Sequence, residues 1–184
     1  MKQILTVLIL SLLCTIANAQ DIFHTKTGTI RFFSDAPLED IEAINESVIS
    51  FINISSGEMV FKVPIQQFQF DKSLMEEHFN ENYMESEKYP NASFKGTFKG
   101  IQKETLNDGQ NYPVTVTGDL TIHGVTKSYT TEGNISMTDG KLQASSVFMV
   151  KLEDHKIKIP QVVFQNIAEE VEVTVTLNYT PYSN

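Results

Sequence analysis

Four histidines and a run of acidic residues are the side chains best suited to chemistry in this sequence. The histidines stand far apart, at His24, His78, His123 and His155. The segment from His78 begins like the inverted zinc motif H-x-x-E-H, but Asn82 stands where the second histidine is required. Because metal-binding sequences hold their ligands at close spacing, the pattern predicts no metal site.

The acidic run could supply a carboxylate pair for general acid/base catalysis. Its members are Glu76, Glu77, Glu81, Glu85 and Glu87. Such a pair needs burial to shift a pKa, and the neighbouring Asn, Ser and Lys residues favour a solvated helix face instead. The chain also lacks a G-x-S-x-G segment and a phosphate-binding glycine loop. The sequence therefore predicts no enzyme, no catalytic residue and no cofactor; a small hydrolase or isomerase that uses the scattered histidines and acids stays as an alternative.

The N-terminal residues carry the pattern of a secretory signal peptide. Lys2 precedes an apolar run, Ile4 to Ile16, and a small-x-small site at Ala17 to Ala19. The run is too short to serve as an integral membrane span. Two leucines, rather than a small residue, precede Cys14, which disfavours a lipid anchor. We expect a signal peptide at 1–19, a mature domain at 20–184, and a periplasmic or secreted bacterial protein.

Composition places the rest of the chain among ordinary folded proteins. Of the 184 residues, 41% are hydrophobic and 20% are charged, which suits one domain and excludes disorder. The 14 Lys and Arg against 23 Asp and Glu give a net charge of −9. Because such a surface repels phosphate backbones, nucleic acid is not an expected partner.

Alternation of apolar and polar residues with a period of two predicts β-strands along most of the mature chain. Turn dipeptides such as His123-Gly124 join runs of similar length, so the strands form antiparallel hairpins. A two-residue turn there places Ile122 opposite Val125 and Thr121 opposite Thr126. About eight strands result, in an all-β antiparallel meander.

Three segments depart from simple alternation. A capping box that begins at Ser73, followed by Met75, Phe79 and Tyr83 at four-residue spacing, predicts a short amphipathic helix. The change of apolar parity across Gln66-Gln67 is interpreted as a β-bulge. A second helical turn is expected somewhere between residues 35 and 45.

Eight antiparallel strands that close on themselves enclose an interior that holds side chains or one small ligand. The inward positions are apolar, so a bound molecule would be apolar too. The candidate lumen residues are Phe61, Val63, Phe68, Phe70, Met75, Phe79, Phe94, Phe98, Val116, Leu120, Ile122, Ala144, Phe148, Val150, Val173 and Val175. A solid barrel with no cavity is the alternative.

Two segments resemble the YceI-like family. Residues 70–96 share its helix followed by an acidic "F…YP…F" segment, and the stretch from Val116 to Lys127 is similar to its G-x-L-T-x-H-G-V-T-K hairpin. The resemblance extends over about Thr27 to Tyr179. It implies an extended lipocalin-like antiparallel barrel, exported to the periplasm, that binds a polyisoprenoid or similar amphiphilic lipid. A homodimer, and a structural or stress-response barrel without a ligand, are left open.

Overall fold

The structure is a computed structural model that describes residues 21–36, 39–102, 105–159 and 168–182. The predicted signal peptide at 1–19 lies outside the described residues. Within those residues, no helix has the length and apolar character needed to cross a membrane.

The described residues form nine antiparallel strands and one short α-helix. The strands are β1 (Ile22–Ser34), β2 (Ile41–Asn53), β3 (Glu58–Pro64), β4 (Gln69–Phe70), β5 (Asn91–Lys99), β6 (Asn111–Ile122), β7 (Val125–Thr138), β8 (Lys141–Lys151) and β9 (Glu170–Pro181). The helix α1 (Ser73–His78) continues into a π-helical turn, Phe79–Tyr83. Ile65–Gln67 and Leu152–His155 form 3₁₀ turns.

The eight long strands close into a barrel because β1 pairs with both β2 and β9. Around the barrel the order is β1, β2, β3, β5, β6, β7, β8, β9. The two-residue strand β4 pairs with the first part of β2, where Ala43 lies opposite Phe70. The prediction of an eight-stranded antiparallel barrel with one short helix is therefore confirmed.

The register predicted for the β6–β7 hairpin is also confirmed. Ile122 lies opposite Val125, and the hydroxyl oxygens of Thr121 and Thr126 are 2.8 Å apart on the outer face. Both turn residues have positive φ, 51° at His123 and 72° at Gly124. Positive φ at both positions defines a type I′ turn, whose twist matches that of the flanking strands.

Three local predictions were wrong. The parity change at Gln66-Gln67 comes from the 3₁₀ turn after Pro64, where β3 ends, and not from a bulge within a strand. The expected helical turn is strand from Ile41 onward, because Ala43 and Asn45 alternate into the core and are 1% and 0% exposed. The predicted capping box does not form, since Lys72 is the N-cap and makes no side-chain cap bond.

The barrel has a solid end and a helix end. The solid end carries the β2–β3 and β7–β8 turns and contains the buried residues Ile52, Leu142 and Tyr179. There the Tyr179 hydroxyl lies 2.7 Å from Ser50 Oγ, and burial raises the pKa of Tyr179 far above its ordinary value. The helix end carries α1 and the 3₁₀ turn at Leu152–His155.

Candidate functional site

A cavity of about 610 Å³ occupies the barrel between the solid end and α1. All nine strands and the helix contribute to its wall, which is made mostly of Phe, Val, Leu, Ile and Met. The strands place these side chains inside because alternate residues of a strand face the same side of the sheet. A cavity of this size and character suits one small apolar ligand.

Fifteen of the sixteen candidate lumen residues line this cavity. They are Phe61, Val63, Phe68, Phe70, Met75, Phe79, Phe94, Val116, Leu120, Ile122, Ala144, Phe148, Val150, Val173 and Val175. Phe98 is the exception, since it is not part of the wall of this cavity. It faces inward like Phe94 but lies four residues nearer the solid end, where it is 4% exposed and packs beside Gly57 of the β2–β3 turn.

A cluster of phenylalanines fastens the helical segment to the barrel. The ring centroid of Phe79 lies 5.1 Å from that of Phe70, 5.5 Å from that of Phe68 and 5.6 Å from that of Phe32. Aromatic pairs at these distances and inclinations attract beyond the burial of their area. The helical segment is thereby held over one end of the cavity.

The rim of the cavity beside α1 is polar. Lys72 and Glu39 form an ion pair there, and His78 also contributes to the rim. Leu74 of α1 also lines the cavity and is 59% exposed. The arrangement offers an apolar interior with charged and hydrogen-bonding groups at its edge.

Sequence reasoning missed many of the residues that line the cavity, and it named none from β1, β2 or β7. Ile30 and Phe32 of β1 and Tyr129 and Thr131 of β7 line the cavity. The inward face of β7 reads Tyr129, Thr131, Gly133 and Ile135, which is too polar to give an apolar alternation. The register of the β6–β7 hairpin, which puts Tyr129 opposite Gly118, was the available signal.

The β7–β8 ladder stops halfway along the barrel. Its pairs run from Thr138↔Lys141 to Gly133↔Ser146. Beyond that point two side chains bind carbonyl groups of β7: Ser146 Oγ donates to Glu132 O at 2.7 Å, and His155 Nδ1 donates to Val125 O at 3.0 Å. Since unpaired carbonyls are costly inside a protein, these bonds stabilise the interrupted wall.

His155 is fully buried, and it contacts both the unpaired part of β7 and Tyr129 of the cavity wall. Its ring stacks on that of Tyr129, with centroids 5.9 Å apart and an interplanar angle of 8°. The Tyr129 hydroxyl lies 3.1 Å from His155 Nε2. Because the carbonyl of Val125 fixes the ring proton on Nδ1, Nε2 accepts and the tyrosine donates.

The surroundings keep both groups of this pair neutral at pH 7. Burial lowers the pKa of His155 below its ordinary value of 6.5. Burial, followed by the nearby carboxylates of Asp154 and Glu170, raises the pKa of the Tyr129 hydroxyl. The tyrosine therefore stays a hydroxyl and the histidine an uncharged imidazole.

His123 has a structural position in the hairpin turn. Its Nε2 donates to Glu85 Oε2 at 2.7 Å, and its ring packs edge-on against Tyr89 with centroids 4.7 Å apart. Its Nδ1 lies 3.3 Å from the carbonyl oxygen of His155. His123 thus ties the segment after α1 to the hairpin and to the 3₁₀ turn.

Across the described residues, no group of three or more His, Cys, Asp or Glu is arranged to hold a metal ion.

Comparison with known proteins agrees with this architecture. The polyisoprenoid-binding domain from Saccharophagus degradans superposes with a TM-score of 0.76 at 15% identity, over 88% of this chain and 99% of that one. BcnA of Burkholderia cenocepacia gives 0.69 at 16% identity, over 82% and 95%. The Campylobacter jejuni YCEI protein gives 0.58 at 16% identity, over 75% and 81%.

No curated protein matches the chain. The family model described as "YceI-like domain" matches residues 14–179, which is nearly the whole chain and ends at the same residue as the motif resemblance. The chain therefore belongs to the YceI-like domain family.

Proposed function

We propose that this protein is an exported, non-catalytic carrier that holds the tail of an isoprenoid lipid in the barrel cavity. The observation that carries the proposal is the cavity of about 610 Å³, whose wall is mostly apolar and has polar groups at only a few places. The volume lies within the range of roughly 300 to 1,000 Å³ that small-molecule sites occupy.

Burial of the tail supplies the binding energy in this proposal. Each five-carbon isoprene unit transferred from water into the cavity contributes about 3 to 4 kcal/mol before ordering costs, at ~0.8 kcal/mol per carbon. Aromatic rings such as those of Phe61 and Phe94, which meet edge to face at 5.7 Å, form part of the wall. Such rings offer apolar surface to a methyl-branched chain.

The comparisons support the ligand class. The similar domain from Saccharophagus degradans is described as polyisoprenoid-binding, and it shares this fold. The Lys72–Glu39 pair and His78 give the cavity a polar rim, so its wall offers polar contacts as well as apolar ones. An amphiphile with one polar end matches this combination better than a hydrocarbon does.

Native mass spectrometry of the protein purified from its own cell envelope tests the proposal. We expect a bound mass that dissociates as a lipid with a series of isoprene units. The delipidated protein should then bind a radiolabelled polyprenol again. A protein that arrives without lipid and binds no prenol at any concentration would overturn the proposal and favour a barrel with no ligand.

A substitution inside the cavity tests where the lipid binds. Ala144 lines the cavity, so Ala144→Leu fills space that a tail would use and should weaken prenol binding while changing stability little. Gln143→Leu adds the same side chain at an exposed position on the adjacent outer face and should leave binding unchanged. If the interior were packed solid, Ala144→Leu would instead overpack it and cost about 1 to 3 kcal/mol.

A further inference from the structure

Three hydroxyl groups lie on the inward faces of β7 and β8, where the cavity wall is otherwise mostly apolar. They belong to Tyr129, Thr131 and Ser146, and all three residues line the cavity. We call this set the hydroxyl stripe. Tyr129, Thr131 and Gly133 follow one another on the inward face of β7. Ser146 of β8 lies opposite Gly133 and so faces inward too.

Two of the three hydroxyl hydrogens of the stripe are already used within the protein. Tyr129 donates to His155 Nε2, as the proton on His155 Nδ1 requires. Ser146 Oγ donates to Glu132 O at 2.7 Å. Thr131 Oγ1 makes only long contacts, 3.3 Å to Glu132 O and 3.4 Å to Ser146 Oγ.

Tyr129 and Ser146 therefore keep lone pairs, and not a hydrogen, for a ligand. A hydroxyl group has one donor hydrogen and two acceptor lone pairs, so once its hydrogen is committed it can only accept. A ligand that itself only accepts, such as a ketone, ether or phosphate oxygen, finds no partner at Tyr129 or Ser146. A ligand with an O–H group finds one.

The Tyr129 hydroxyl keeps its proton, because burial, followed by the carboxylates of Asp154 and Glu170, raises its pKa. It therefore has a hydrogen to donate to His155 Nε2.

Resting on the carrier function above, we propose that the hydroxyl stripe selects isoprenoid ligands that carry a hydroxyl donor, that is alcohols or phenols, over ligands of the same tail whose polar group only accepts. Tyr129 is the specificity-determining residue, since His155 holds its hydroxyl in the required orientation. The stripe lies inside the barrel, so the selection acts on a polar group that enters the cavity.

The test compares two probes of the same fifteen-carbon tail, farnesol and farnesyl methyl ether. Their dissociation constants are measured by isothermal titration calorimetry on the delipidated protein. We expect the protein to prefer farnesol by roughly three- to tenfold beyond the difference in their octanol–water partition, as one net hydrogen bond provides. Tyr129→Phe should abolish that excess preference and leave binding of the ether unchanged.

Tyr112→Phe is the matched control. It removes a tyrosine hydroxyl from β6 that binds Thr105 O at 2.6 Å, and Tyr112 is not part of the cavity wall. This variant should keep the preference of the unaltered protein. Thermal unfolding of each variant shows that it is folded. Should Tyr129→Phe not fold, the preference of the unaltered protein decides alone.

The outcomes separate this inference from the carrier proposal. If both probes bind and the ratio of their dissociation constants follows their octanol–water partition, the selectivity is refuted and the carrier function stands. The same conclusion holds if Tyr129→Phe leaves that ratio unchanged. If neither probe nor a longer prenol binds, both proposals fail together. An excess preference for farnesol that depends on Tyr129 supports the selectivity.

Discussion

Two glycine turns in this barrel allow backbone strain and side-chain packing to be measured separately. Gly124 and Gly140 each occupy the second position of a two-residue hairpin turn, and each has a φ of 72°. The residues before them, His123 and Asp139, have φ values of 51° and 50°. The turns differ in what surrounds them. A Cβ at Gly124 would lie 2.5 Å from Cε1 of Tyr89, whereas a Cβ at Gly140 has nothing within 4 Å.

We expect Gly140→Ala to cost roughly 1 to 2 kcal/mol, the strain of an L-residue in the left-handed region. Gly124→Ala adds a clash with the ring of Tyr89, and moving that ring sacrifices its contact with His123. The additional cost is about 1 to 3 kcal/mol, as for other overpacked sites. Any entropic gain from replacing glycine in the unfolded chain is the same in both variants and cancels in the comparison.

Urea unfolding followed by far-ultraviolet circular dichroism measures the difference, and the chain has no Trp for fluorescence. A difference of 2 kcal/mol corresponds to about 4 to 8 °C in thermal midpoint for a domain of this size. In a Tyr89→Ala background, Gly124→Ala should cost no more than Gly140→Ala. Equal losses in the two single variants would show that Tyr89 does not pack on the turn and would refute this account of the helix end.

Other expected outcomes test further parts of the structure. Burial lowers the pKa of His155, so as the pH falls this imidazole is protonated in the unfolded chain before it is protonated in the folded protein. The free energy of unfolding should therefore fall as the pH drops below about 6.5, by at most ~1.4 kcal/mol per pH unit. Urea unfolding of the protein and of His155→Asn from pH 7 to 5 should show a shallower dependence in the variant. Tyr179→Phe should cost about 1 kcal/mol in urea unfolding, because the Ser50 hydroxyl keeps its bond to Val60 O while losing the tyrosine. Mass spectrometry of the periplasmic protein should find Gln20 at the mature N-terminus, and an intact chain in the membrane fraction would contradict the predicted export.

Period-two alternation predicted most of this fold because an antiparallel barrel has one dry face. The pattern assigns each residue to a face but not to a depth along the barrel axis. Phe94 and Phe98 share one face, yet Phe94 lines the cavity and Phe98 is packed into the solid end. Where the cavity begins depends on which turns and loops close each end, and that is decided by tertiary contacts.

The point where the β7–β8 ladder stops could not be predicted from the sequence, for a related reason. His155 and Ser146 look unremarkable in the sequence, one in a charged segment and one in a run of small residues. Their roles follow from the end of the β7–β8 ladder at Gly133↔Ser146, which leaves carbonyl groups of β7 for side chains to bind. No local pattern specifies where two strands stop pairing.

Two glycines help to keep open space in the lumen. Gly96 and Gly118 lie opposite each other on β5 and β6, and a Cβ at either would meet Cζ of Phe94 at 2.6 Å. The phenylalanine ring therefore rests flat against the wall in the room that the missing side chains leave. Larger residues at these positions would force that ring across the lumen, where it would occupy the volume proposed for a lipid tail. Two glycines on neighbouring strands thus help to keep a barrel rich in phenylalanine from filling its own interior.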